Sequence, residues 1–162
     1  MIELDDIDRR IVAALQAEGR LAMVDLADKV GLSPTPCQRR VKRLEDEGVI
    51  ARYAALVSPP SVGFDLQAMV QVTLDDHSEK TVEAFEAAIR ARPEVVACYA
   101  MTGDMDFLLH VLATDLASFS EFAMKALLRM PGVRGTRSSF IMQAVKSDLA
   151  WAPQPPVPRA RK

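Results

Sequence analysis

The sequence predicts an α+β fold, with an N-terminal winged helix-turn-helix followed by a βαββαβ ferredoxin-like domain. The first part of the chain carries apolar residues at helical spacing, bounded by helix-capping residues. After Pro59-Pro60-Ser61 the spacing changes to period two, and strand and helix patterns follow in the order β-α-β-β-α-β. We therefore expect one domain with its linker over 1–60, a second over 61–146, and a disordered Pro-rich, basic tail over 147–162.

The N-terminal domain is predicted to contain three helices and a short hairpin. Ser33 is a good N-cap for the third helix, and Pro34 suits its first position. The predicted elements are helices over about 5–18 and 22–30, a third from Ser33 to Gly48, and two short strands at 49–50 and 53–57.

The second domain is predicted to contain four strands and two helices. Residues 66–74 alternate between apolar and polar, as a half-buried strand does. The elements that follow are a helix over about 78–91, strands over 94–101 and 107–113, a helix over about 116–129, and a strand over about 133–146.

Composition indicates an ordinary soluble protein, with 49% hydrophobic and 26% charged residues. The acidic start, MIELDDIDRR, resembles neither a signal peptide nor a membrane span. Cys37 and Cys98 lack metal-ligand spacing, and His77 and His110 have no second ligand nearby in the sequence. We expect a cytoplasmic protein without metal or cofactor, in which Cys37 is a core residue and both histidines are structural.

Charge gives opposite indications at two scales. The formal net charge of −2 and the pI near 5.7 argue mildly against a nucleic-acid-binding protein. Residues 38–43, however, read Gln-Arg-Arg-Val-Lys-Arg, with four positive charges and no acid. Because a single helix can make the contact with DNA, the local charge is the more informative observation.

The third helix has two distinct faces when its residues are placed 100° apart. Cys37, Val41 and Leu44 share the buried face, whereas Arg39 and Lys42 point directly away from it. Such a helix can offer its side chains to phosphates and base edges of a major groove, and its Ser33 end can offer free amides to a phosphate. The expected DNA-binding residues are Ser33, Thr35, Gln38, Arg39, Arg40, Lys42 and Arg43.

Arg40 lies nearer the buried face than the other cations of this helix. It is therefore expected to contact a backbone phosphate or to form an internal salt bridge, and not to read a base. A solvated basic face without any ligand is the alternative for an isolated helix. The combination with three helices, a capped start and a hairpin favours DNA contact.

The chain resembles the Lrp/AsnC, or feast/famine, family of bacterial transcription regulators over about residues 3–146. The motifs that carry the resemblance are Leu4-Asp5, Asp8 and Ile11; Asp25-Leu26-Ala27; Val30-Gly31-Leu32-Ser33; Cys37 with Arg39-Arg40-Val41; Arg43-Leu44-Glu45; Gly48-Val49-Ile50; Thr102-Gly103 with Asp106; Pro131-Gly132-Val133; and Lys146. The resemblance implies a RAM-type C-terminal domain that builds homodimers and often octamers. It also implies control of amino-acid metabolism genes and an amino-acid effector.

An effector site is expected at the turn between the two central strands of the second domain. A bound amino acid needs a carboxylate for its ammonium group and free amides for its own carboxylate. The resemblance places the effector at this turn, between subunits of adjacent dimers, with Asp106 on the ammonium group. Thr136 and Ser138 are weaker candidates, because they would have to reach the ligand from a neighbouring subunit. The full set is Tyr99, Thr102, Gly103, Asp104, Asp106, Thr136 and Ser138.

Several alternatives remain open at this point. Asp104 and Asp106 could simply form an Asx-type turn, as aspartates do in many hairpins. The regulator could also act without an effector, or its winged helix could bind a protein. A decarboxylase-like enzyme of siroheme or haem synthesis would share the fold, but it has no need for four cations on one helix.

Overall fold

The computed structural model describes residues 3–146, which form two compact units. The chain passes from the first unit to the second between Leu56 and Val57, slightly before the predicted boundary. Residues Pro59–Val62, predicted as a linker, form a short 3₁₀ helix at the start of the second unit. The tail predicted over 147–162 lies outside the described residues. No helix within residues 3–146 combines the length and apolarity needed to cross a membrane.

The first unit contains the three predicted helices, α1 (Asp6–Ala17), α2 (Met23–Val30) and α3 (Pro34–Asp46). Asp5 and Asp8 form a capping box at the start of α1, because each side chain accepts a hydrogen bond from the backbone of the other. The core of the unit combines apolar side chains from all three helices, namely Ile11, Val12, Leu26, Ala27, Val30, Cys37, Val41 and Leu44. Cys37 is thus a core residue, as predicted.

The predicted hairpin after α3 is absent, since residues 49–57 contain no strand. Gly48 takes a left-handed conformation (φ +70°), and the Ile50 N–H then donates to the Leu44 carbonyl at 3.0 Å. These residues therefore finish the helix and do not begin a strand. The segment after them contacts α3 through Tyr53, whose hydroxyl donates to Glu45 Oε1 at 2.8 Å. A two-stranded hairpin is marginal without a sheet to join, and the first unit offers none in its described part.

The second unit confirms the βαββαβ order. Its elements are β1 (Leu66–Leu74), α4 (Glu79–Arg90), β2 (Val95–Ala100), β3 (Phe107–Ala113), α5 (Leu116–Glu121) and β4 (Val133–Phe140). The helix predicted over about 116–129 is α5 only up to Glu121. It continues as a π-helical turn, Phe122–Ala126, and a 3₁₀ turn, Leu127–Arg129. The sheet order is β2-β3-β1-β4, and all neighbouring strands are antiparallel.

The last strand is shorter than predicted and ends at Phe140, not near 146. It pairs with β1, and the final bond is donated by the Ile141 N–H to the Gln67 carbonyl at 2.9 Å. Because β1 begins at Leu66, it offers only one further strand residue to the chain beyond Ile141, too few for a strand that continues to 146.

One face of the sheet packs against the helices. The buried side chains on this face alternate along β1 and β3 and meet Phe85 of α4, whose ring lies 4.7 Å from that of Phe107. The opposite face carries half-buried side chains such as Met69, Leu108 and Leu112, and no helix of the second unit covers it. One face of the sheet therefore forms the core of the second unit, whereas the other is open to a partner.

Candidate DNA-binding helix and effector turn

The exposed face of α3 is the face that the sequence predicts. Cys37, Val41 and Leu44 are buried, with 0%, 6% and 0% of their surfaces exposed. The exposed residues opposite them are Thr35, Gln38, Arg39 and Lys42. Arg39 and Lys42 make no salt bridge within residues 3–146, so their charges are available to an external partner.

Arg40 and Arg43 are placed differently from the other two cations. One terminal nitrogen of Arg40, Nη1, donates to Asp5 Oδ2 at 2.6 Å and to Asp8 Oδ1 at 2.9 Å. The Arg43 guanidinium donates to the second carboxylate oxygen of Asp8. Arg40 thus makes the internal salt bridge that was one of its two expected roles. For Arg43, predicted only as a DNA contact, the same kind of internal pairing was not anticipated.

Asp5, one of the two acidic partners, is held in its charged form. The Asp8 N–H and the Arg40 guanidinium both donate to the Asp5 carboxylate and lower its pKa to about 2. Asp5 also caps α1, so this carboxylate serves the helix and the ion pair together. The sequence contains a signal for the role of Asp8, because this acid precedes the buried Ile11 and Val12 by three and four positions and shares their helix face.

The N-terminus of α3 offers fewer free amides than predicted. Ser33 occupies the N-cap position, but its side chain makes no capping hydrogen bond. Pro34 and Pro36 have no N–H, and the Cys37 N–H is already bonded to the Ser33 carbonyl at 3.2 Å. A phosphate at this end could therefore meet the free N–H of Thr35, and not a ring of amides.

The expected effector turn lies between β2 and β3. Because β2 is an edge strand of the described sheet, the turn does not join two central strands as predicted. Its Met101 N–H donates to the Asp106 carbonyl at 2.9 Å, and Gly103 has φ +112°, which favours glycine. Thr102, Gly103 and Asp104 are exposed, and no atom lies within 4 Å of the position of a Cβ on Gly103. A ligand could therefore approach the backbone here.

The Asp106 carboxylate bridges the turn to the end of β1. Its Oδ2 accepts a hydrogen bond from the Leu74 N–H at 2.7 Å, and its Oδ1 lies 2.7 Å from His77 Nε2. These two partners lower the pKa of Asp106 and keep it ionised. The Asx-type interpretation is therefore wrong for Asp106, whose side chain bonds outside its own turn. His77 contacts the Asp106 carboxylate, a partner that could not be identified from the sequence.

Tyr99, Thr136 and Ser138 do not meet in one subunit. Thr136 pairs with Val72, which pairs with Phe107, so β4 lies three strands from β2. At the usual spacing of about 4.8 Å, this separates them by about 14 Å. Thr136 and Ser138 also share the face of their core-facing partners on β1, whereas Tyr99 lies on the helix-free face.

No cluster of three or more metal-binding side chains occurs among the described His, Cys, Asp and Glu residues. Two described features are suited to recognition: an exposed basic helix face in the first unit, and an anionic turn with accessible backbone in the second.

Comparison with known proteins gives consistent matches for both units. Residues 4–51 match the model of the winged helix-turn-helix DNA-binding domain, and residues 67–151 match that of the Lrp/AsnC ligand-binding domain. A leucine-responsive regulatory protein of Haemophilus influenzae is 43% identical over 143 residues, covering 88% of this chain and 86% of the relative.

Solved structures of related proteins superpose on nearly the whole chain. A transcriptional regulator of Neisseria meningitidis in complex with L-methionine superposes with a TM-score of 0.88 at 42% identity, covering 91% of this chain and 96% of that one. A feast or famine regulatory protein of M. tuberculosis, also complexed with L-methionine, has a TM-score of 0.82 at 34% identity, covering 93% and 99%. These relatives are regulators, and the enzyme alternative is set aside. The chain belongs to the Lrp/AsnC family of DNA-binding transcription regulators.

Proposed function

We propose that this regulator binds duplex DNA through the exposed face of α3 and that an apolar amino acid controls the binding. The observation that carries the proposal is the two-sided α3, with a buried apolar seam and the free cations Arg39 and Lys42 opposite it. Thr35 and Gln38 on the same face can hydrogen-bond to base edges, and the cations can reach phosphates or guanines.

The amino-acid effector is proposed to bind at the turn containing Gly103 and Asp106. Supporting this are the exposed backbone of the turn, the ionised Asp106 and the L-methionine complexes of two relatives. Asp106 would accept a hydrogen bond from the ammonium group of the ligand, and the amides of Gly103 and Asp104 would donate to the ligand carboxylate. Tyr99 and Thr102 would lie beside the ligand. Because Thr136 and Ser138 lie across the sheet, they can contribute only from another subunit.

Self-association through the second unit is part of the same proposal. The helix-free face of the sheet exposes part of Met69, Leu108 and Leu112, an apolar surface that a second copy could cover. A ligand at the edge of that assembly would change how the subunits pack, and so the spacing of two α3 helices along DNA. The regulator would work in the cytoplasm, with its DNA.

The purified protein should enrich a defined sequence from a pool of random duplexes. If Arg39 and Lys42 neutralise two phosphates per subunit, affinity should fall at least about 10-fold between 50 and 200 mM salt, because bound counterions are released. Fluorescence anisotropy with the selected duplex measures this. If no sequence is enriched and binding is insensitive to salt, the winged helix is a protein-binding module instead.

L-methionine and L-leucine should raise the melting temperature of the protein. A ligand at 100 times its dissociation constant adds about 2.7 kcal/mol to the free energy of unfolding. The D-enantiomers are the matched control, since they present the same groups with the wrong geometry. A screen in which none of the twenty amino acids raises the melting temperature would indicate an effector-independent regulator.

A further inference from the structure

Asp8 is the one buried charged side chain among residues 3–146, with 1% of its surface exposed. Each of its carboxylate oxygens is used: Oδ1 accepts from Arg40, and Oδ2 accepts from Arg43 and, at 3.2 Å, from the Asp5 N–H. A buried carboxylate is tolerated only when it is paired and hydrogen-bonded in this way.

The two arginines lie one turn apart on α3, whereas Asp5 and Asp8 belong to the first turn of α1. The four groups are two acids and two cations, so the cluster has no net charge. It fixes α3 at two successive turns against one end of α1. A helix held at two points resists rotation about its own axis as well as tilting.

We propose that Asp8 is a positioning residue for DNA recognition. It holds Arg40 and Arg43 so that, of the four cations of α3, only Arg39 and Lys42 present their charges to DNA. This rests on the proposed contact face of α3. Arg40 and Arg43 then act through Asp8 and are not phosphate ligands, although they belong to the same basic run in the sequence.

The competing interpretation is that both arginines leave Asp8 when DNA arrives and bind phosphates. Arg43 is 44% exposed, so it could move. If both moved, however, Asp8 would remain buried without a cationic partner, which is strongly unfavourable. The two interpretations predict opposite effects for the removal of the Asp8 charge.

The test compares Asp8→Asn with Asp6→Asn, using a duplex selected by the wild-type protein and an unrelated duplex of equal length. Both variants lose one negative charge from the first turn of α1, but Asp6 is 98% exposed and, within residues 3–146, forms a salt bridge only with Arg9. We expect Asp8→Asn to lower the preference for the selected duplex at least about 10-fold, while Asp6→Asn leaves it unchanged. A folded Asp8→Asn protein that binds the selected duplex as tightly as wild type, or more tightly, overturns the proposal.

Arg43→Gln decides the question if Asp8→Asn does not fold, because it leaves the Asp8–Arg40 pair in place. Loss of a positioning group should weaken the selected complex and spare the unrelated one. Loss of a phosphate contact should weaken both equally and reduce the salt slope by about 0.9. Equal weakening, or no change, overturns the proposal. A wild-type protein that selects no duplex would instead refute the proposed DNA-contact face itself.

Discussion

Replacing Arg39 and Lys42 together by glutamine should weaken binding to a selected duplex at least about 30-fold, since a good base contact is worth about 1–3 kcal/mol and two such contacts are lost. Both side chains are exposed and unpaired within the described part of the chain, so their loss should change the free energy of unfolding by less than about 0.5 kcal/mol. The logarithmic salt slope should also fall by about 1.8 per subunit.

The matched control is Arg90→Gln with Lys125→Gln, which removes the same charge from exposed positions of the second unit. Its affinity should stay within about threefold of wild type if local contacts dominate over net charge. Equal losses in the two double variants would mean that the overall charge attracts DNA and that the α3 face is not the contact. Thermal unfolding of each variant checks that the fold is intact.

Local periodicity explains why the buried seam of α3 could be predicted. The angular positions of Cys37, Val41 and Leu44 follow from helix geometry alone, and all three are buried. The order of strands and helices in the second unit was predictable for the same reason, since alternation and capping are properties of short segments.

Features that depend on distant partners could not be predicted in this way. Arg43 stands in a basic run and looks like its neighbours, but its guanidinium meets Asp8, which lies 35 positions earlier in the chain. Asp106 was recognised as a turn residue, whereas its partners lie about 30 positions earlier in the chain, Leu74 at the end of β1 and His77 in the loop after it. The residues after Gly48 have strand-forming composition, but a strand also needs a neighbour to pair with.

The structure separates two roles of the Asp106 side chain, the hydrogen bond to Leu74 and the proposed contact with the ligand, so that variants can test each of them. One oxygen accepts the Leu74 N–H, a structural bond, and the negative charge is the feature that an ammonium group would need. Asp106→Asn keeps an acceptor for Leu74 and removes the charge. Asp106→Ala removes both, so comparing the two variants distinguishes a damaged turn from a lost ligand contact.

Asp106→Asn should abolish most of the response to the amino acid that stabilises the wild-type protein. A hydrogen bond to a charged group contributes about 1.5–3 kcal/mol, which corresponds to roughly 10- to 150-fold weaker binding. At a concentration 100 times the wild-type dissociation constant, a 100-fold weaker variant gains only about 0.4 kcal/mol, against about 2.7 kcal/mol for wild type.

Asp104→Asn is the matched control for this experiment, because Asp104 is exposed on the same turn and is proposed to contribute only its backbone. It should keep the full thermal shift, and both variants should bind the selected duplex as wild type does without effector, since α3 is unchanged. His77→Gln removes the side chain that already contacts the Asp106 carboxylate. Because His77 is 73% exposed, the ammonium group of the ligand would displace it from Asp106 Oδ1. Its removal should leave the affinity for the amino acid equal or higher. If Asp106→Asn retains the wild-type shift while Asp104→Asn loses it, the ammonium group is held by the other carboxylate of the turn, and the assignment to Asp106 is wrong.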